Sequence, residues 1–289
     1  MDKDKKPLVS IVILTKDGGE TLKESVKMIF KQETRFTYEL IAVDSGSTDG
    51  TVEFLKSSQA RVIEIEPREF RFGPTRDLGF SKANGECVVT ISQDVVPADR
   101  GWLEKIAAPI LCKEADVVQG VEEYPRDKDV FYWIRTGSFC FTSERDEFRK
   151  KYGEIGFSCT NIAIRRSVWD KTRFGDAPMS EDQGLQKKIY SSGYRIIKEK
   201  KALVYHGHMY DLKGLMKRCE NEGFGWKYLG EKYSVKKIVK DLTTKRWIYG
   251  ELIRGIAQGK IRNMAELLFV FIRPLAIYKG NRFNDRYKY

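Results

Sequence analysis

No two of the five cysteines stand in a C-x-x-C pair: Cys87, Cys112, Cys140, Cys159 and Cys219 are odd in number and widely spaced. That spacing argues against a disulfide framework and against a zinc site, and it fits reduced thiols in a cytosolic protein. No stretch of about 18 uninterrupted apolar residues occurs, so no bilayer-spanning helix is expected. The chain opens on the charged run Met1-Asp2-Lys3-Asp4-Lys5-Lys6 and its next apolar run is only a strand long, so no export signal is expected. Neither G-x-G-x-x-G nor G-x-x-x-x-G-K-[ST] is present; the first strand runs into Thr15-Lys16-Asp17-Gly18-Gly19 instead. This argues against the dinucleotide fingerprint and the P-loop, and with them a hydride-transfer enzyme or an ordinary ATPase. Internal repeats and low-complexity tracts are absent. Histidine occurs only twice, at His206 and His208.

What is present reads as a folded α/β protein. At 289 residues, with 41% hydrophobic and 12% aromatic residues, the chain is long enough for one large α/β domain with an appendage. Strand-type runs cover 8–15, 38–44, 61–65 and 88–92, with helical patterns over 21–32 and 75–84. Strands alternating with helices at this spacing predict a parallel sheet with both faces covered. A strand is expected over 157–166, a helix over 184–190 and basic aromatic helices from 212 onward. The stretch 123–156, with Tyr124-Pro125-Arg126 and Phe131-Tyr132-Trp133-Ile134-Arg135, has no clean period; it reads either as an acceptor-side or lid segment or as an ordinary surface insertion.

The net charge of +11 is all at one end: residues 212–289 hold 18 Lys and Arg against 7 Asp and Glu, whereas residues 1–211 hold 34 of each. Such a tail fits nucleic acid, an anionic membrane surface or a solvated face. Basic residues beside the apolar run 264–274 suit a helix lying on an anionic bilayer, and equally a tail packed on its own domain. Glu266 and Arg273-Pro274 interrupt that run.

Candidate site residues sit where strands end. The run Val88-Val89-Thr90-Ile91 leads into Ser92-Gln93-Asp94, and Pro97 stops the strand, so Asp94 stands at a strand's carboxyl end, where open α/β sheets bind ligands. An Asp there also serves to cap a turn. Ser180 is a good N-cap for the helix that follows, with Glu181 and Asp182 in its first turn, where the dipole favours acids for stability alone. A carboxylate held ionised there also suits a general base. His206 and His208 follow a β-type run at a spacing that puts both on one side of a strand, which favours a ligand role.

In order and spacing, Ile11-Val12-Ile13-Leu14-Thr15, Val43-Asp44-Ser45-Gly46-Ser47-Thr48-Asp49-Gly50-Thr51, Gly73-Pro74-Thr75-Arg76-Asp77-Leu78-Gly79 and Ser92-Gln93-Asp94 together resemble glycosyltransferase family 2. The resemblance runs from residue 8 to about 230. The Gln-Asp triplet, the Glu181-Asp182 pair and the His-x-His are similar to the bacterial rhamnosyltransferase-like members. It implies a GT-A α/β fold: a mostly parallel sheet flanked by helices over residues 1–230, followed by a basic amphipathic helical extension over 231–289. It also implies an inverting transfer from a nucleotide sugar. Asp44 would accept from the uracil or thymine imide, Thr15, Asp17 and Gln93 would line the nucleotide sugar, and Arg76 would lie by the base or diphosphate. Asp94 and His206 would hold Mn²⁺ or Mg²⁺, and Asp182, with Glu181 beside it, would be the catalytic base. Asp77 stands where members usually have Asn, and a single carboxylate stands where many have two.

The expectation is a metal-dependent glycosyltransferase using a UDP- or dTDP-sugar, dTDP-rhamnose among them, with a hydroxyl of a glycan or polyprenyl-linked glycan as acceptor. It is expected in the cytoplasm, against an anionic membrane surface at the inner face of the plasma membrane, without a nucleic-acid partner. The rival readings are a nucleotide-sugar pyrophosphorylase and a non-enzymatic basic adaptor for membrane or nucleic acid. The first should carry a Gly-rich, basic first loop, and the second leaves Asp44, Asp94 and Asp182 without purpose.

Overall fold

The structure, a computed structural model, describes residues 6–125 and 129–285. The charged lead before Lys6 and the Arg126 end of the Tyr124-Pro125-Arg126 run lie outside them. The strands are β1 (Val9–Thr15), β2 (Tyr38–Asp44), β3 (Arg61–Glu64), β4 (Cys87–Ser92), β5 (Val96–Pro97), β6 (Val117–Glu123), β7 (Asn161–Arg165) and β8 (Ile196–Tyr205). The first helices are α1 (Gly19–Ile29), α2 (Thr51–Ser57), α3 (Phe72–Ser81) and α4 (Trp102–Leu111). Then come α5 (Tyr132–Arg135), α6 (Ser143–Tyr152), α7 (Arg166–Thr172) and α8 (Glu181–Ser191). The remaining helices are α9 (Leu212–Tyr228), α10 (Val235–Thr244), α11 (Trp247–Ala257) and α12 (Met264–Phe283).

Two compact units divide the chain. The first comprises Met1–Glu123, Ile155–Asp176 and Glu181–His206; the second comprises Tyr124–Glu154, Ala177–Ser180 and Gly207–Tyr289. The boundary expected at residue 230 thus falls inside the second unit. The cause is local: α9 and α12 touch backbone to backbone, and a Cβ on Gly223 or Gly280 would strike the main chain of Ile277 or Glu220.

In the first unit the described strands form one sheet in the order β3-β2-β1-β4-β7-β6-β8-β5. It is mostly parallel: β1 pairs in parallel with β2 and β4, β2 with β3, and β6 with β8, while β7 runs antiparallel between β4 and β6. Strand alternation assigns the two faces. Ile11, Ile13, Val89 and Ile91 pack against Leu22 and Val26 of α1, Leu55 of α2 and Trp102 and Ile106 of α4. Val12, Ile41 and Val88 pack against Phe80 of α3, Trp169 of α7 and Leu185 and Ile189 of α8. Helix α3 starts at Phe72, three residues before the expected Thr75, because Pro74 sits in its first turn, where the missing N–H costs no intrahelical bond.

The second unit has its own core. The run Phe131, Tyr132 and Trp133 is buried in it, with Trp133 stacked on Phe269 at 4.9 Å and its Nε1 donating to the Glu266 carbonyl at 2.7 Å. This aromatic run is therefore interior packing, neither lid nor surface insertion. Part of the basic charge is neutralised here as well: Lys237 and Lys240 of α10 pair with Glu144 and Glu147 of α6, and Lys245, just past α10, pairs with Asp146 of α6. Helix α12 runs through Pro274 without ending, anchored by the buried pair of Arg273 and Glu222 at 2.8 Å. No helix among the described residues is long and apolar enough to cross a membrane.

Candidate active site

Because β1, β2, β4, β6 and β8 are parallel, their carboxyl ends share one edge of the first unit's sheet, and the antiparallel β7 starts from that same edge. Thr15, Asp44, Asp94, Glu122 and His206 therefore gather there from five strand ends.

The first three loops are laced into a rim. Asp44 Oδ1 accepts from the backbone N of Gly46 at 3.0 Å and of Ser47 at 2.8 Å; its Oδ2 accepts from Thr15 Oγ1 at 2.8 Å and Ser47 Oγ at 2.6 Å. Four donors thus meet this buried carboxylate, three from its own loop and one from Thr15 of β1. Asp44 thereby anchors the loop that follows β2. Asp17 Oδ1 accepts from Thr48 N at 2.8 Å, and Asp17 N donates to Ser47 Oγ at 2.8 Å. Gln93 clasps the backbone of Lys16 from both sides, accepting from its N at 2.8 Å and donating to its O at 3.0 Å. Gly46 makes the turn at φ 87, a conformation that only glycine adopts without strain, and a Cβ there would also strike Pro67.

The second group is held by strand pairing. Val96 of β5 faces Tyr205 of β8, so Asp94, just before the first, comes beside His206, just after the second. His206 Nε2 lies 3.6 Å from Asp94 Oδ1, and Nδ1 lies 3.3 Å from Glu122 Oε2. The His206 N–H also donates to the Glu123 carbonyl at 2.8 Å, continuing the ladder past β8. Glu122 is held in turn by Ser158 and Thr160, whose hydroxyls are 2.6 Å apart. Burial by itself would lower the His206 pKa, but the hydrogen bonds and charges of Asp94 and Glu122 push it up to about 9. Burial would raise Glu122, yet His206 and the two hydroxyls hold it below its ordinary value. The site favours positive charge, and a carboxylate oxygen facing an imidazole nitrogen is a donor set that suits Mn²⁺ or Mg²⁺. His208 belongs to the second unit, where its carbonyl accepts from Phe131 N at 2.8 Å.

The third group lies at the start of α8. Arg76 donates to Glu181 Oε1 from Nε at 3.2 Å and Nη2 at 2.9 Å, and to Thr90 Oγ1 from Nη1 at 2.6 Å. Arg76 is 3% exposed and turned inward. The register of α3 decides this: Arg76 and Phe80, four apart, share the face that packs on the sheet. Cys159 is buried against the same pair, and desolvation drives its thiol well above its ordinary pKa. Asp182, about 100° further round the helix, is half-buried, its Oδ1 accepting from Gln183 N at 2.7 Å. Ser180, the expected N-cap, has φ 60, outside the extended region that capping residues take. Asp77 accepts from Trp169 Nε1 at 2.7 Å, Phe174 N at 3.0 Å and Gly175 N at 2.8 Å, which assigns it to anchoring the 169–175 turn.

Glu122 is the site residue that sequence reading missed. Its signal is the same as that of Asp94, a β-type run, Val117-Val118-Gln119-Gly120-Val121, ending in the acids Glu122-Glu123.

A mostly parallel sheet whose carboxyl edge carries these loops, a carboxylate and an imidazole is a GT-A architecture. Two solved structures share it at a TM-score of 0.62: a mannosyltransferase from Pyrobaculum calidifontis in complex with GDP-Man and Mn²⁺, 15% identical, covering 98% of this chain and 89% of that one; and a glucosyl-3-phosphoglycerate synthase from Mycobacterium tuberculosis in complex with Mn²⁺, UDP and glucosyl-3-phosphoglycerate, 18% identical, covering 79% and 82%. The model of "Glycosyl transferase family 2" matches residues 10–173. The chain belongs to that family and is a glycosyltransferase. It is similar to the O-antigen chain rhamnosyltransferase WbaN of Salmonella anatum, 26% identical over 215 residues, which are 71% of this chain and 67% of that protein. It is likewise similar to RfbN of Salmonella typhimurium, 25% identical over 212 residues, 70% of this chain and 67% of that one. Family membership removes the pyrophosphorylase and adaptor readings of the activity.

Proposed function

We propose that the chain transfers a sugar, with inversion, from a UDP- or dTDP-sugar to a hydroxyl of a glycan or lipid-linked glycan. The observation that carries the reading is Asp94 facing His206 at the sheet edge. The names of the rhamnosyltransferase relatives make dTDP-rhamnose the first donor to try. In this reading the enzyme works in the cytoplasm at the inner face of the plasma membrane.

Asp94 and His206 would hold a divalent cation, whose charge offsets that developing on the departing diphosphate. With the cation bound, His206 would be neutral and would offer Nε2 as a ligand between Asp94 and Glu122. Thr15, Asp17, Asp44 and Gln93 would keep the nucleotide-side loops in shape around the donor. Asp182 takes the proton of the acceptor hydroxyl as its oxygen bonds the anomeric carbon and the bond from that carbon to the diphosphate breaks. Glu181, pinned by Arg76, fixes the helix that carries Asp182. Glu122 fixes the His206 ring through Nδ1, leaving Nε2 toward Asp94.

The base and the metal are tested together by thermal shift. UDP or dTDP with Mn²⁺ is expected to raise the melting temperature, with about 2.7 kcal/mol of stabilisation at a hundred times Kd, and EDTA should abolish the shift. The solved neighbours bind different nucleotides, GDP-Man in one and UDP in the other, so the base is the informative variable. Equal shifts with GDP and ADP would reject the pyrimidine donor, and turnover that survives EDTA would reject the cation.

Glu122→Gln tests the clasp on His206. It is expected to weaken Mn²⁺ binding about 10- to 100-fold in an electron paramagnetic resonance titration, because an amide orients and polarises the ring less well than a carboxylate. An unchanged Mn²⁺ affinity would assign Glu122 to packing alone.

A further inference from the structure

Helix α12 buries polar groups alongside its core residues. Its buried face carries Glu266, Arg273 and Asn281 among Phe269, Val270 and Ile277, and its outer face carries the apolar Met264, Phe271 and Leu275. The polar groups are consumed within the second unit: Glu266 accepts from the backbone N of Tyr132 and of Arg262, both at 2.6 Å, and Arg273 pairs with Glu222. The outward stripe of Met264, Phe271 and Leu275 is apolar.

Helix α11 extends the same surface. Tyr249, Ile253 and Ile256 fall on one stripe of the helix, and the Tyr249 ring lies 6.3 Å from that of Phe271, so the two stripes meet. Ile253, Ile256, Met264, Phe271 and Leu275 are between 45% and 67% exposed, far above what an apolar residue packed in a core shows. Residues 246–283 contain seven Lys and Arg but only two acids, Glu251 and Glu266. Glu266 is buried, and Glu251 is bonded to Arg254 and to the Tyr132 hydroxyl. The exposed cations Arg246 and Lys260 bracket the α11 stripe, and Arg282 stands beside the end of the α12 stripe, next to Lys279, which is paired with Glu220 at 2.7 Å.

We infer that this face of α11 and α12 docks on an anionic lipid bilayer, with Ile253, Ile256, Phe271 and Leu275 at the headgroup boundary and the flanking cations on lipid phosphates. An apolar patch ringed by cations matches that surface in both hydrophobicity and charge. A second copy would set one basic rim against another, and like charges disfavour that pairing. No helix among the described residues is long and apolar enough to cross, and the proposed contact lies in the plane of the interface. The inference deepens the membrane setting proposed above and rests on the second unit alone, so its failure leaves the transfer reaction untouched.

Co-sedimentation of the full chain with phosphatidylcholine vesicles, with and without phosphatidylglycerol, tests it. Binding is expected only with phosphatidylglycerol, and should fall as salt shortens the screening length to about 8 Å. The pair Ile253→Glu with Phe271→Glu should reduce binding by about tenfold or more, and so should Lys260→Glu with Arg282→Glu. Both variants should keep the nucleotide-induced thermal shift, which verifies folding and separates this surface from the donor site. Parent protein that ignores anionic vesicles, or variants that bind like the parent, would overturn the proposal. A concentration-dependent dimer in sedimentation velocity, lost in Ile253→Glu with Phe271→Glu, would assign the face to a second copy and overturn it too.

Discussion

Asp182→Asn is expected to lower sugar transfer by about 10² to 10⁴ while donor binding stays near that of the parent. The substitution keeps size and shape, and the Asn carbonyl oxygen is able to accept from Gln183 N as Oδ1 does. What it loses is the capacity to take the acceptor's proton. Donor affinity by calorimetry and turnover with a verified acceptor should therefore part company. Full turnover in the variant removes Asp182 from the reaction; equal losses in binding and turnover make it a donor contact. Glu181→Gln is not an equivalent control, because its carboxylate is committed to Arg76.

The second large effect concerns that pair. Arg76→Met leaves Glu181 as a buried charge without a partner, and Glu181→Met strands the guanidinium; each is expected to cost about 3–5 kcal/mol. The double replacement should recover most of the loss, since well-packed apolar residues often substitute for a buried ion pair at little cost. Thr90 Oγ1 retains its bond to the Val12 carbonyl at 3.0 Å in either case. Urea denaturation of the four proteins measures the coupling, and losses that simply add would show that the pair is not a unit. Nucleotide affinity in the double variant decides the other question. If it falls steeply in a protein that is folded, Arg76 reaches the diphosphate after all; if it holds, the guanidinium is a clasp for α8.

The inward placement of Arg76 shows where sequence reading stops. Buried parallel strands are contiguous apolar runs ending in polar turns, so β1, β2 and β4 were readable, and with them the edge that carries Thr15, Asp44 and Asp94. The meeting of Asp94 with His206 depends on the Val96 to Tyr205 rung, a pairing between distant segments that no local pattern encodes. Arg76 shares its helix with exposed polar residues, and only the register of α3 on the sheet turns it inward. Glu122 escaped notice because Gln119 and Gly120 interrupt the β6 run. The aromatic run at 131–133 has no period of its own, since its partners lie on α12.

The interleaving of the two units also orders their assembly during synthesis. Once His206 has been made, the first unit has all its residues. The second does not: Trp133 waits for Glu266, which emerges 133 residues later. Domains fold as units as they leave the ribosome, so the sheet and its edge form while Phe131, Tyr132 and Trp133 are still uncovered. During that interval the nascent chain carries an adhesive aromatic segment tethered to a folded body, the kind of surface that chaperones hold. A premature stop before α12 would therefore yield an aggregating product rather than a smaller working enzyme.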